Sequence, residues 1–252
     1  MKQIILFILV FIAGIANAQS KLHSHNDYEQ ERPFFLAYEN EFESIEADIF
    51  LVDGELYVAH DREDIRPERT LKNLYLNPIC EIMGKQDNQI YASGKPLQLL
   101  IDLKTGYKET LPVLEKQLLE TAAYFDLKQN PSGVKIVISG SIPPAAEFKN
   151  YADIIFFDGR PTLKYNAAEL KRIGMISDDY KNFASWDGTG SLTESEKKNI
   201  KNFVLLAHQS GVPARFWGCP DNPNAWKTYL DLNFDFINTD KIQDLRSFID
   251  QK

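Results

Sequence analysis

The stretch that decides the fold runs from Ile45 to Asp61 and reads IEADIFLVDGELYVAHD. In an extended strand, Glu46 and Asp48 fall on one face and Ile45, Ala47 and Ile49 on the other. The apolar face calls for a layer of helices behind it. The acidic face calls for an interior that holds charge, because adjacent buried carboxylates are costly unless something positive lies between them. Asp53-Gly54 then separates two strand-like runs, which is a hairpin signal. The strand is therefore expected to double back as a β-ribbon ending at His60.

Further strand-like runs recur on either side of this segment: KLHSH (21–25), LQLLIDLK (97–104), VKIVISG (134–140), DIIFFDG (153–159), GMISD (174–178), ARFWG (214–218) and DFINTD (235–240). With SIEADIFL (44–51) they make eight. Between them lie segments of helical period, such as residues 108–125 and 193–211. The second opens with Thr193 and Glu196 at capping-box spacing and stops at Gly211. Strands alternating with helices imply parallel pairing, and eight of them predict an α/β fold, a single (β/α)₈ TIM barrel with a β-ribbon after strand two. A doubly wound open sheet is the alternative.

Before the first strand, Met1-Lys2, an apolar run over 3–15 and Ala-Asn-Ala at 16–18 have the form of a secretory signal peptide. The expected organisation is a signal peptide over 1–18, cleaved near Ala18, and one barrel domain over 19–252. An uncleaved membrane anchor is the alternative. The expected location is secreted or periplasmic, with at most peripheral membrane contact. With 28 Lys and Arg against 36 Asp and Glu, the chain carries a net charge of −8. That balance argues against nucleic acid as a partner, since phosphate-backbone binders show a basic footprint. Cys80 and Cys219 lie far apart in sequence and are read as two free thiols rather than a pair.

In a TIM barrel the chemistry sits where strands run into the following loops. Strand one ends in SHNDY (24–28), which places His25, Asn26 and Asp27 there, with His23 just before. Strand two brings Glu46 and Asp48, and its ribbon brings His60 and Asp61. Strand three ends in Asp102 and Lys104. Later strands end in Ser139, Asp158 with Arg160, Asp178 with Asp179, Trp217, and Asn238 with Asp240. Glu46, Asp48 and Asp102 offer the all-oxygen set that a hard divalent cation such as Mg²⁺ or Ca²⁺ prefers. Lys104, on the face of Asp102, can reach a phosphate oxygen. An unperturbed imidazole titrates near neutral pH, so His25 and His60 suit proton transfer. His23 shares a face with His25 and competes for that role, with packing in the barrel mouth as its other reading. His208, in the last turn of a helix, is read as structural. Trp217 is either an apolar wall of the site or a packing residue.

SHNDY, IEADIFLVDGELYVAHD and LLIDLK, taken in order, resemble the phosphatidylinositol-specific phospholipase C / glycerophosphodiester phosphodiesterase superfamily of TIM barrels. FDFINTDK (234–241) is a weaker echo at the last strand. The resemblance implies that His25 and His60 are the acid–base pair and that Glu46, Asp48 and Asp102 hold a metal. Asn26 stands where phospholipases C of the eukaryotic type have a metal ligand. The chain departs from the pattern in two places. It lacks the His-Arg-Gly of typical glycerophosphodiesterases on strand one, and it has Asp102-Leu103-Lys104 where they have glutamate before the lysine. The latter is closer to the sphingomyelinase D-like branch. The implied activity is a metal-dependent phosphoric diester hydrolase acting on a glycerophosphodiester or phospholipid-type substrate. Two other readings compete. His23-Ser24-His25 is also how amidohydrolase-type barrels begin a zinc site, but no later strand supplies the further histidines. A barrel that binds phosphate esters without turnover is the third.

Overall fold

The structure, a computed structural model, describes residues 20–251. The leader expected over 1–18 lies outside them. The strands are β1 (Lys21–Ser24), β2 (Ser44–Val52), β3 (Glu55–Val58), β4 (Gln98–Leu103), β5 (Lys135–Gly140), β6 (Ile155–Gly159), β7 (Ile173–Asp179), β8 (Ala214–Trp217) and β9 (Phe236–Thr239). Eight of them lie along one path, β8-β7-β6-β5-β4-β2-β1-β9, with parallel neighbours throughout. All eight segments expected to be strands are on this path, and together they form the predicted barrel. Its helices are α1 (Phe35–Glu39), α2 (Asn77–Lys85), α3 (Tyr107–Leu119), α4 (Ala167–Leu170), α5 (Glu194–Gln209), α6 (Pro223–Asp231) and α7 (Ile242–Asp250).

The remaining strand, β3, lies antiparallel on the far end of β2, with Ile49 opposite Val58 and Val52 opposite Glu55. Asp53 and Gly54 make the turn with φ of 49° and 83°, the pair of positive values a type I′ hairpin requires. In α5 the capping box is present: Thr193 Oγ1 accepts from the Glu196 amide, and Glu196 Oε2 accepts from the Thr193 amide. Its buried stripe is Ile200, Phe203, Val204 and Ala207, one face of an α-helix.

The barrel closes differently at one place. Among the described residues no backbone ladder joins β8 to β9, and side chains bridge the seam instead. Asn238 Nδ2 donates to the Phe216 carbonyl at 2.7 Å. Asp235 Oδ2 accepts from the Ala214 amide and pairs with His208 Nε2, each at 2.7 Å. His208 thus has the structural role expected of it.

Successive strand residues alternate between the helical layer and the interior. Ile45, Ala47, Ile49, Leu99 and Ile101 belong to the large outer core, whereas Leu100, Val137, Met175 and Phe236 form a small plug inside the barrel. Polar groups occupy the interior above this plug. The helical layer is thin in one sector. A single 3₁₀ segment (145–150) links β5 to β6, and only the four residues of α4 link β6 to β7.

Below the plug, Lys135 opens β5. Its ammonium donates to the Gly174 carbonyl at 3.0 Å and lies 4.9 Å from the Phe156 ring centre. Burial, reinforced by the Lys21 charge, pulls its pKa from 10.5 to about 8. Below about pH 8 the native state must keep this buried charge. Between there and 10.5 it sheds the proton before the unfolded chain does, so stability should rise with pH across that window. Urea melts of wild type and Lys135→Met between pH 7 and 10.5 test this, the variant having the flatter dependence. Equal slopes would mean that Lys135 is not held in a depressed state.

Candidate active site

At the end of β1 the chain turns sharply, and Asp27 organises the turn. Its carboxylate accepts from Ser24 Oγ (2.8 Å), Tyr75 Oη (3.0 Å) and the Phe34 amide. Asn26, just before it, sits in the left-handed region (φ 45°, ψ 44°), which asparagine tolerates better than most residues. The turn leaves His25 and Asn26 at the rim.

A cavity of about 260 Å³ opens at this end of the barrel. Lining it are His25, Asn26, Glu46, Asp48, His60, Asp102 and Lys104, all expected in the site, whereas Asp27, Asp61, Asp178, Asp179, Asn238 and Asp240 from the other strand ends do not line it. Ser139, Gly140, Asp158, Arg160, Arg215 and Trp217 complete the wall. Trp217 therefore faces the cavity, and the Arg160 guanidinium lies 5.1 Å from its ring centre.

The carboxylates sit in unlike surroundings. Glu46 Oε2 pairs with Arg215 Nη2 and accepts from His23 Nε2 at 2.9 Å. Burial alone would raise the Glu46 pKa, but the Arg215 charge and the His23 hydrogen bond outweigh it and hold the group ionised. His23 is fully buried, and its Nδ1 bonds Ser44 Oγ at 2.7 Å. Burial and Arg215 lower its pKa to about 3, so it is a neutral brace for Glu46. Its ring does not line the cavity.

Asp48 Oδ2 accepts from Tyr28 Oη (2.7 Å) and pairs with Lys104 Nζ (2.9 Å). Burial and the Glu46 charge push its pKa up, against the pull of Lys104 and Tyr28. Its other oxygen, Oδ1, is buried without a hydrogen-bond partner. Asp102 Oδ1 pairs with the same ammonium at 3.0 Å, and its Oδ2 accepts from Ser139 Oγ at 2.8 Å. Gly140 makes room for this carboxylate, since a Cβ there would lie 2.6 Å from Asp102 Oδ1 and the residue has φ +71°.

The two histidines are held by different means. His25 Nδ1 bonds Asp240 Oδ1 at 2.8 Å. Burial works to lower its pKa, but Asp240 and the Glu46 charge prevail and raise it. His60, half-exposed at the end of the hairpin, has Nδ1 3.1 Å from Tyr28 Oη and 3.6 Å from Asp48 Oδ2. Tyr28 spends its one proton on Asp48, so His60 Nδ1 is the donor to the tyrosine oxygen. Both rings thereby keep Nε2 for whatever enters the cavity.

Glu46, Asp48, Asp102 and the Asn26 amide are all oxygen donors, and the orphaned Asp48 Oδ1 is the kind of atom a hard cation satisfies. In kind the set fits such a cation. In placement Lys104 bridges Asp48 and Asp102, and no three His, Cys, Asp or Glu side chains among the described residues cluster as a metal site. Cys80 and Cys219 are free thiols, as expected.

Three residues of the site had no role assigned from the sequence. Tyr28 stands within SHNDY, Arg215 within ARFWG, and Asp240 is one of several polar strand ends. A single arginine inside a short apolar strand, two residues before a rim tryptophan, was the signal for Arg215.

A family model described as the AIM6-like phosphodiesterase domain matches residues 12–158. Altered inheritance of mitochondria protein 6 from Kluyveromyces lactis is 27% identical over 301 residues, covering 90% of this chain and 71% of that protein. A homolog of that protein from Arthroderma benhamiae is 25% identical over 270 residues, covering 90% and 83%. Among solved structures, a glycerophosphodiester phosphodiesterase from Parabacteroides distasonis superposes with a TM-score of 0.55 at 14% identity, over 93% of this chain and 98% of that one. A calcium-dependent phosphoinositol-specific phospholipase C from a Pseudomonas species gives 0.54 at 13% identity, over 90% of each. At such identities the structures share the fold alone, a TIM barrel. With the family model spanning more than half of its length, the chain belongs to the AIM6-like phosphodiesterase domains.

Proposed function

We propose that this barrel is a metal-dependent phosphoric diester hydrolase acting on a glycerophosphodiester or phospholipid-type substrate. The observation that carries the reading is the pairing of two imidazoles in one cavity, each with Nδ1 engaged and Nε2 available, beside the Lys104 ammonium. Glu46, Asp48, Asp102 and Asn26 would hold a divalent cation, Mg²⁺ or Ca²⁺. When bound, the cation would neutralise phosphate charge as it develops.

The chain's own groups account for the rest. Lys104 is held between Asp48 and Asp102, which raise its pKa against the effect of burial, so it stays charged and able to turn to a phosphate oxygen. One imidazole takes the proton of the nucleophile, either water or a neighbouring substrate hydroxyl. The other gives a proton to the departing alcohol oxygen. Water as nucleophile yields a phosphomonoester and an alcohol, whereas a substrate hydroxyl yields a cyclic phosphate and an alcohol. Asp240 orients His25, and Tyr28 orients His60. The Trp217 ring walls the side where the alcohol group would lie.

Two experiments test the reading. Removal of divalent cations should abolish hydrolysis of glycerophosphodiesters, and Mg²⁺ or Ca²⁺ should restore it. Calorimetry should show that Asp48→Asn with Asp102→Asn, which leaves the buried Glu46–Arg215 pair intact, weakens cation binding while the fold persists. Undiminished cation affinity in that double variant would remove the metal assignment.

The second concerns the histidines. His25→Ala and His60→Ala should each lower turnover by about 10²–10⁴-fold. A nitrophenyl leaving group, which needs no proton, should rescue the variant lacking the acid and not the one lacking the base. His23→Ala should act through Glu46 and cost less turnover than either. Tight binding of phosphate esters without hydrolysis of any diester, activated ones included, would favour the binding-only barrel.

A further inference from the structure

The thin sector of the helical layer leaves a second cavity beside the first. It has a volume of about 380 Å³ and lies between the 160–165 segment and α5. That is within the range, about 300–1,000 Å³, of sites that take small ligands. Its floor is apolar: Ile176 of β7 with Phe203 and Ala207 of α5, all buried. At its rim stand Leu163 and Leu206, which are 55% and 58% exposed. Arg160 is common to both cavities. Its guanidinium is bound to Asp158 and Ser177 inside the barrel mouth, while its backbone amide donates to Tyr165 Oη (2.8 Å), which lines the outer cavity. One residue is thus shared by a polar, charged chamber and an outer cavity whose floor is apolar and whose one lysine, Lys164, is exposed.

We propose that the outer cavity receives a hydrocarbon chain of the substrate, so that the preferred diester is a single-chain amphiphile with its phosphate in the barrel mouth. This rests on the phosphodiesterase reading and narrows it. The occupant follows from continuity and charge. The chamber beside the groove carries Lys104 and Arg160, which suit an anionic diester, and the groove that adjoins it at Arg160 offers no charge on its floor. A second copy of the chain is the weaker fit. A stable interface buries roughly 800 Å² per partner, far more than the exposed leucines here (Leu163, Leu205 and Leu206) supply.

A series of 1-acyl glycerophosphodiesters of increasing chain length tests the proposal, used below their critical micelle concentrations beside the deacylated diester. In wild type, kcat/KM should rise with chain length, by up to about fourfold per methylene that becomes fully buried, and then level off as the groove fills. Leu163→Glu with Leu206→Glu changes only exposed rim residues. It should leave the deacylated diester unaffected and cost at least about tenfold on the longer chains. Equal rates at all chain lengths in wild type would overturn the proposal, and so would an unchanged length dependence in the double variant. If no diester is hydrolysed, the phosphodiesterase reading fails by itself. Equilibrium dialysis of the same series then judges the groove, with affinity that grows with chain length in wild type alone as the supporting result. A dimer in light scattering that the double variant dissolves would assign the groove to a second copy and sink the proposal.

Discussion

The pairing of Glu46 with Arg215 is the interaction on which the rest of this barrel depends. Both side chains are less than a tenth exposed, and they belong to β2 and β8, strands that are not neighbours in the sheet. Neither charge is tolerable there alone. Their attraction holds the acidic face of β2 in an ionised state that burial opposes, and His23 completes the arrangement as a neutral donor. The same logic recurs around the mouth, where Lys104 serves Asp48 and Asp102, and Arg160 serves Asp158. An interior of this kind holds its shape through matched charge, while the apolar plug of Leu100, Val137, Met175 and Phe236 fills the space beneath.

Much of this was legible along the chain, for definite reasons. A strand with Glu46 and Asp48 on one face and isoleucines on the other announces a two-sided environment within five residues. Asp53-Gly54 fixes a hairpin by local backbone preference alone. Thr193 and Glu196 start a helix through contacts three residues apart. What stayed hidden depends on sequence separation. The partner of Glu46 lies 169 residues away, and that of His25 lies 215 away. Such pairs are set by strand order and register, which no local pattern encodes. Tyr28 is a different case. It stands within the SHNDY motif, but its reach to Asp48 and His60 depends on how the turn after β1 folds back. The thin helical layer over β6 and β7 was equally unreadable, because a missing helix leaves no periodic signal.

The two histidines show how one residue type is given two characters. His25 is backed by a carboxylate at the end of the last strand, which stabilises its charged form. His60 leans on a tyrosine whose own proton is committed to Asp48, so its ring is oriented by a neutral oxygen. A site that must take a proton at one moment and deliver one at another benefits from such inequality, since two equivalent imidazoles would compete for the same step. Asp48 links the two halves of the arrangement, touching Tyr28 on the side of His60 and Lys104 on the side of Asp102.

The seam between β8 and β9 is stitched by side chains where every other neighbouring pair on the barrel path shares a backbone ladder. These are also the strands that deliver Arg215 to Glu46 and Asp240 to His25. The two long-range contacts that set charge in the mouth are therefore mounted on either side of the one line on the barrel path that, among the described residues, no backbone ladder closes. Any shift of β8 against β9 would lengthen both contacts together, so the charge held in the mouth is tied to the geometry of a single seam.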